Sequence, residues 1–210
     1  DRTDIDLSAF LITDENSVIK VGWNSLPHVG NSVIYSGDNT GYADKNAEYM
    51  DIAIDELPKG VEWVINEARI YSGPRTFAGY NDKARMGWMM REFPEANEHW
   101  LPETVSHAVV LTAESRIAYL MALHVPTRQV IYLDLAMGDN MVSGAEDALR
   151  MRTYLNQFIV SDDGSGEINW KKLNQGHVLN LLSNSVTDRM EDADVVFDEN
   201  TTVEQVARYL

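Results

Sequence analysis

The sequence predicts a mainly β fold, a β-sandwich followed by a C-terminal helical extension. Two observations lead to this prediction. Apolar and polar residues alternate with a period of two in nine segments between residues 4 and 136, and short turn sequences separate these segments. After Gly138 the apolar residues recur at intervals of three and four, which is typical of helices. We therefore divide the chain into a sandwich domain, residues 1–140, and a helical extension, residues 141–210.

The first segment, 4-DIDLSAFLIT-13, shows the alternation clearly, because Ile5 and Leu7 project to one side of a strand and Asp4 and Asp6 to the other. The further predicted strands are, in order, 17–23, 32–36, 48–54, 62–71, 85–93, 105–112, 116–125 and 128–136. Turn residues separate them at 30–31, 58–60, 73–74 and 126. Many short strands with short connections are typical of a sandwich.

The helical extension is predicted from apolar spacing alone. The residues that repeat at three and four are Ala148, Met151, Leu155 and Phe158, and then Leu173, Val178, Leu181 and Leu182.

Composition excludes several classes of function. The 210 residues contain no Cys, so disulfides, a thiolate nucleophile and cysteine-bound zinc are excluded, which fits a cytoplasmic protein. A net charge of -16 without a basic stripe argues against nucleic acid as a partner. No apolar run approaches the roughly twenty residues of a membrane span, and no leader is visible. We expect calcium ions as partners, together with an unidentified protein or further copies of the chain.

The negative charge is concentrated at the two ends of the chain. Residues 1–55 carry ten acidic and three basic residues, and the segment from Asn184 onward carries seven and two. For the C-terminal segment we favour the simple interpretation of a solvated acidic surface.

One acidic segment, 36-SGDNTGYADKNAE-48, is unusually rich in oxygen ligands. It holds Asp38, Asn39, Asp44, Asn46 and Glu48 together with two glycines and no apolar run. Calcium takes about six to eight oxygen ligands in a flexible shell, whereas magnesium requires near-ideal octahedral geometry. The segment therefore favours a calcium-binding loop.

Asp4 and Asp6 extend this candidate site. They lie two residues apart on a predicted strand, so their carboxylates share a face and repel each other unless a cation lies between them. An alternative stays open, in which both are solvated charges on an edge strand and 36–41 is an ordinary turn. The candidate metal ligands are Asp4, Asp6, Asp38, Asn39, Asp44, Asn46 and Glu48.

The order and spacing of these motifs resemble the TerD family of tellurite-resistance and stress-response proteins. The segments that carry the resemblance are 4-DIDLSAFLIT-13, 32-SVIYSGDNTG-41, 48-EYMDIAIDELP-58, 75-RTFAGY-80 and 85-RMGWMM-90. The resemblance covers residues 1 to about 137. It implies a TerD-like β-sandwich whose loops bind calcium.

The resemblance also implies roles for individual residues. Asp4 and Asp6 match the paired aspartates of the family, and Asp38 and Asn39 match its Gly-Asp-Asn motif. Asn46 and Ala47 stand where the family has two aspartates, while the glutamate at 48 is kept. Because calcium affinity follows the number of charged ligands, we expect weaker binding in this chain. We also expect the first strands of the family, which precede the paired aspartates, to be missing here.

A second segment, 161-SDDGSGEINWKK-172, resembles an EF-hand loop. Asp163 and Gly166 occupy fitting positions, but Ser161 stands at the first ligand position and Lys172 at the twelfth, which requires a bidentate glutamate. We interpret the segment as a helix-turn-helix connection without a bound ion.

The sequence carries no catalytic motif, and we predict that the protein is not an enzyme. Its histidines are scattered along the chain at His28, His99, His107, His124 and His177. No GxSxG or HExxH sequence is present. We expect the Met and Trp residues of 86–90 to lie in the core.

These observations together predict a non-enzymatic, calcium-binding TerD-like module that acts in stress response or as a scaffold. The alternative is a structural assembly protein, a component of a virion or a surface layer, that uses the sandwich as a packing module. Calcium dependence of the isolated chain distinguishes the two.

Overall fold

The computed structural model describes residues 3–40, 47–90, 105–137, 144–156 and 169–172. Within these ranges the elements are, in chain order, β1 (Asp4–Thr13), β2 (Val18–Gly22), β3 (His28–Val29), β4 (Val33–Tyr35), β5 (Met50–Ile52), β6 (Val61–Ser72), β7 (Arg85–Trp88), β8 (His107–Val110), β9 (Ile117–His124), β10 (Gln129–Met137), α1 (Gly144–Leu155) and β11 (Asn169–Lys172). Short 3-10 helices span Ile54–Glu56 and Phe77–Tyr80. The prediction of a mainly β fold with a C-terminal helix is confirmed.

The largest sheet has six strands in the order β11-β10-β9-β6-β1-β2. Strand β1 lies between β6 and β2 and pairs antiparallel with both. Pairing with β6 runs along the whole strand, from Asp4 to Thr13, whereas pairing with β2 begins only at Ser8. The first residues of β1 therefore lie beyond the end of β2, and their backbone can accept another partner on that side.

Two smaller sheets pack against one face of the large sheet. They have the orders β3-β4-β5 and β7-β8. A single hydrophobic cluster joins Leu11 and Leu123 of the large sheet to Val33, Tyr35 and Met86 of the small sheets. Packing of sheets around a shared apolar layer agrees with the predicted sandwich.

Helix α1 covers the opposite face of the large sheet. Its buried residues Ala148, Met151 and Leu155 belong to a second hydrophobic cluster, which includes Phe10 and Trp63. The predicted apolar spacing of the helix is therefore confirmed up to Leu155. Phe158 and the residues from 173 onward lie outside the described ranges, and the domain boundary at 140 stays a prediction.

Strand β1 is buried on both faces, which explains its apolar run 9-AFLI-12. Leu11 projects into the first cluster, while Phe10 and Ile12 project into the second. The alternative in which Asp4 and Asp6 are solvated charges is wrong, because the two residues are only 4% and 2% exposed.

The interpretation of 161–172 as a helix-turn-helix connection is wrong at its C-terminal end. Residues Asn169–Lys172 form β11, which pairs parallel with Gln129–Tyr132 of β10. An EF-hand loop leads into a helix at these positions, so the strand is a further departure from that motif. Residues 161–168 lie outside the described ranges.

The expected core position of 86–90 is correct in part. Met86 is buried, and Trp88 packs against the first cluster, but Met90 is 57% exposed. No α-helix in the described part of the chain is long and apolar enough to cross a membrane.

Candidate metal centre

Four carboxylates meet at the end of β1 that extends beyond β2. Asp4, Asp6, Asp38 and Glu48 each offer one oxygen, and these four oxygens lie within 4.8 Å of one another. Two of the side chains come from β1, and two come from the connection between β4 and β5. The two pairs of carboxylates are thus 32 to 44 positions apart in the sequence and form one cluster.

The connection between β4 and β5 is held closed at its base. The backbone N–H of Ser36 donates to the carbonyl of Tyr49, at 2.9 Å, and the N–H of Tyr49 donates to Ser36 Oγ, at 3.0 Å. Between them Gly37 adopts a φ of 92°, which a residue with a side chain adopts only under strain. This turn directs Asp38 back toward Glu48.

The Glu48 carboxylate links three parts of the chain. Its Oε2 accepts hydrogen bonds from the Leu7 backbone N–H, at 2.8 Å, and from the Tyr35 hydroxyl, at 2.6 Å. Its Oε1 accepts a bond of 3.0 Å from the Asn39 N–H. The side chain therefore continues the hydrogen bonding of β1 where β2 has ended, and it fixes the loop onto the sheet.

Asp6 of β1 lies in an environment that disfavours its charge. Asp6 is 2% exposed, and its Oδ2 has no hydrogen-bond partner within the described residues. The pKa of Asp6 is raised to about 7, first by burial and then by the negative charges of Glu48, Asp4 and Asp38. The positive charge of Lys20 lowers this pKa and only partly offsets the rise.

Burial also raises the pKa of two further groups at this site, Glu48 and Tyr35. Burial raises the pKa of Glu48, and the hydrogen bonds from Tyr35, Asn39 and Leu7 oppose that rise. The pKa of Tyr35 is also raised, first by burial and then by Glu48, so its hydroxyl stays a donor.

These residues fit a divalent cation. The donors are hard carboxylate oxygens, and a bound cation would supply the missing partner of Asp6 Oδ2 and offset the mutual repulsion. A carboxylate has about four lone-pair directions, and Glu48 already uses three of them for hydrogen bonds. Glu48 could thus bind an ion through the one remaining lone pair, on Oε1. The aspartates have more lone pairs left for an ion.

The structure brings together four of the seven residues predicted as metal ligands. These are Asp4, Asp6, Asp38 and Glu48. Asn39 lies beside Asp38, and its side-chain amide donates to the Ala47 carbonyl at 3.3 Å. Asp44 and Asn46 lie outside the described residues, so their role stays a prediction.

Sequence reasoning missed Tyr35 as a member of this site. A signal was present in the strand 33–35. Val33 and Tyr35 are two residues apart, so both project to the face that points into the core, and Ile34 projects to the other face. A buried tyrosine needs a partner for its hydroxyl, and the nearest acidic segment follows it directly in the sequence.

No protein-family model and no curated protein matches the chain. Two solved structures resemble it over 59% of its length and 71% of theirs. One is the crystal structure of SAV2460, a protein of unknown function, with 19% identity and a TM-score of 0.41. The other, with 15% identity and a TM-score of 0.42, is a homologue from Streptomyces coelicolor A3(2) of the telluride resistance protein TerD. TerD gives its name to the family that the sequence motifs resemble. Neither similarity indicates what this chain binds.

Proposed function

We propose that the chain is a non-enzymatic module that binds calcium at Asp4, Asp6, Asp38 and Glu48. The observation that carries this proposal is the buried Oδ2 of Asp6, which lacks a hydrogen-bond partner in the described structure and lies within a group of four carboxylates. A buried carboxylate without a partner is costly, and a bound cation removes that cost.

Calcium is favoured over magnesium by the form of the cluster. The oxygens come from an interior strand and a loop, and one of the carboxylates, that of Asp38, is exposed. Such a mixture suits the flexible coordination of calcium better than a strict octahedron.

A raised pKa such as that of Asp6 is also typical of a general base in an enzyme. We favour the metal because the shift is caused by burial and by three neighbouring carboxylates, all of which a cation would offset. In the wider role that the sequence resemblance implies, this cytoplasmic module acts in stress response or as a scaffold.

The test is a calorimetric titration of the chain with CaCl₂, with MgCl₂ as competitor, beside thermal melts in calcium and in chelator. A ligand that binds only the folded state adds about 2.7 kcal/mol at a hundredfold excess over Kd, so the melting temperature should rise with calcium. Asp6→Asn should lose most of the binding heat. Asp82→Asn removes the same charge from an exposed turn residue, whose φ of 63° asparagine also adopts, and should bind like the parent. Equal calcium binding by parent and Asp6→Asn, or a melting temperature indifferent to millimolar calcium, would contradict the proposal.

A scaffold role can be checked on the same samples. Sedimentation velocity with calcium and with chelator should show self-association that depends on calcium. Association that is unchanged by chelator would support the structural assembly alternative instead.

A further inference from the structure

A second buried polar cluster, separate from the four carboxylates, joins helix α1 to the large sheet. The Tyr119 hydroxyl on β9 lies 2.8 Å from Glu67 Oε2 on β6 and 3.2 Å from Asp147 Oδ2 on α1. Tyr119, Glu67 and Asp147 are 0%, 1% and 5% exposed. One phenol thus bridges two buried carboxyl groups.

The number of protons decides the state of this bridge. A phenol carries one proton and can donate it to only one of the two carboxyl groups. If both carboxyl groups were ionised, one of them would face the phenol oxygen without a hydrogen between them. The observed distances are satisfied when one carboxyl group keeps its own proton and donates it to Tyr119.

Glu67 is placed as the hydrogen-bond acceptor of the bridge. Arg69 binds it through two hydrogen bonds, Nε to Oε1 at 3.0 Å and a terminal nitrogen to Oε2 at 3.2 Å. The start of α1 also lies against it, since a Cβ added to Gly144 would be 2.6 Å from Glu67 Oε2. The N-terminal end of a helix favours negative charge. The remaining proton therefore belongs to Asp147.

The charged groups around Asp147 agree with this assignment. Burial is the main cause that raises the pKa of Asp147, and the charge of Glu67 adds to it, while Tyr119, Arg150 and Arg69 act in the opposite direction. From β2, the ammonium group of Lys20 interacts with Glu67. The pKa of Tyr119 is strongly raised by burial and by Glu67, so the phenol keeps its proton.

We propose that helix α1 is held on the large sheet by two consecutive hydrogen bonds, in which protonated Asp147 donates to Tyr119 and Tyr119 donates to Glu67, and that docking of the helix weakens as Asp147 loses its proton with rising pH. In the undocked state Asp147 meets water and titrates near its ordinary pKa of 3.8, whereas the docked state keeps the proton to higher pH. The docked state thus binds more protons in the window between the ordinary and the raised pKa. Docking is strongest below that window and is weakened as pH rises through it.

Undocking would uncover a defined surface. Helix α1 shields Phe10, Trp63 and Leu133 of the second hydrophobic cluster. The proton bridge therefore couples pH to the exposure of an apolar face.

Hydrogen exchange of the full chain, followed by mass spectrometry from about pH 3.5 to pH 8.5 and corrected for the intrinsic rate, tests the proposal. Protection of residues 144–155 in the parent should fall with rising pH, by up to about tenfold for each unit by which the pKa of Asp147 is raised. Protection in Asp147→Asn should depend less on pH than in the parent, because its amide can donate to Tyr119 at every pH in the range. Glu146→Gln, a change at the exposed neighbouring residue, should behave like the parent.

The pKa of Asp147 itself gives a test that needs no stable variant. A carboxyl carbon NMR titration of the parent should place it above 3.8. A value at or below 3.8, or the same pH dependence of protection in parent and Asp147→Asn, would overturn the proposal.

Discussion

Tyr35 donates a hydrogen bond of 2.6 Å to Glu48 Oε2, and this bond joins the end of β4 to the carboxylate that closes the candidate metal centre. The same oxygen accepts the Leu7 N–H from β1. Glu48 Oε2 thus links the sheet β3-β4-β5 to the large sheet, next to the two aspartates of β1.

The first prediction concerns this bond. Tyr35→Phe keeps the buried ring but removes the donor, so Glu48 should be held less firmly. Hydrogen bonds to charged groups contribute about 1.5–3 kcal/mol, so we expect a loss of that order in the free energy of unfolding in chelator. Calcium affinity should fall several-fold. Denaturant melts and calorimetry measure both effects.

Tyr71→Phe, at a tyrosine that is 58% exposed, is the matched control for Tyr35→Phe. Equal losses in the two variants would show that the bond to Glu48 has no special role.

The second prediction concerns the stability of the chain without calcium. The folded state holds the proton of Asp6 up to about pH 7, whereas the unfolded chain releases it near 3.8. Stability from this group is therefore complete below 3.8 and is lost as pH rises to about 7. Melting temperatures in chelator should fall over this range, and Asp6→Asn should fall less steeply. A parent and variant with parallel pH profiles would show that Asp6 ionises normally.

The third prediction follows from the same proton. Calcium must displace it below about pH 7, so affinity should rise with pH by up to about tenfold per unit and level off above neutrality. Titrations in buffers of different ionisation enthalpy at pH 6 should report proton release on binding. Calcium binding at pH 6 without proton release would place the ion away from Asp6.

The fourth prediction tests the start of helix α1. Alanine normally stabilises a helix relative to glycine by about 1 kcal/mol. At Gly144, however, the added Cβ would overlap Phe10 and approach Glu67 Oε2 within 2.6 Å. Overpacking of this kind costs about 1–3 kcal/mol, so Gly144→Ala should be destabilising overall. Urea unfolding of Gly144→Ala beside Glu146→Ala, a change at an exposed residue of the same turn, measures the difference. If Gly144→Ala were more stable than the parent, the start of the helix would not lie against Glu67.

The fifth prediction concerns the segment that resembles an EF-hand. Asp163→Ala should leave the number of bound calcium ions unchanged, because Lys172 occupies the twelfth position and Asn169–Lys172 form a strand. Asp38→Ala should reduce that number. Loss of an ion from the Asp163 variant would show that the segment binds calcium despite its departures from the motif.

Local alternation was enough to predict most of the fold. Each of the nine predicted strands has a counterpart among the observed strands, because the period of two is a property of consecutive residues. Strand β3 has only two residues and offers too little pattern to recognise. Strand β11 has the sequence NWKK, in which apolar and polar residues do not alternate. It forms by parallel pairing with the edge of β10.

The candidate site was predictable to the extent that its residues are acidic and close in sequence. Asp4 and Asp6 share a strand, and Asp38 and Glu48 share a loop, so the density of carboxylates identified all four. The bond from Leu7 could not be foreseen, since it exists only because β2 ends at the residue that pairs with Ser8. The bridge at Tyr119 joins residues 52 and 28 positions away, and no local pattern encodes such a contact.

The position of β11 at the edge of the large sheet has a consequence for synthesis in the cell. The sheet begins with β1 at Asp4 and is complete only when Lys172 has joined it. At ribosomal rates of about 5–20 residues per second, roughly 2 to 7 s separate the translation of Met137, the last residue of β10, from that of Lys172. During that interval the edge of β10 offers unpaired backbone groups to any neighbouring nascent chain. Premature termination after β10 should therefore yield a product that aggregates more readily than a chain that includes β11.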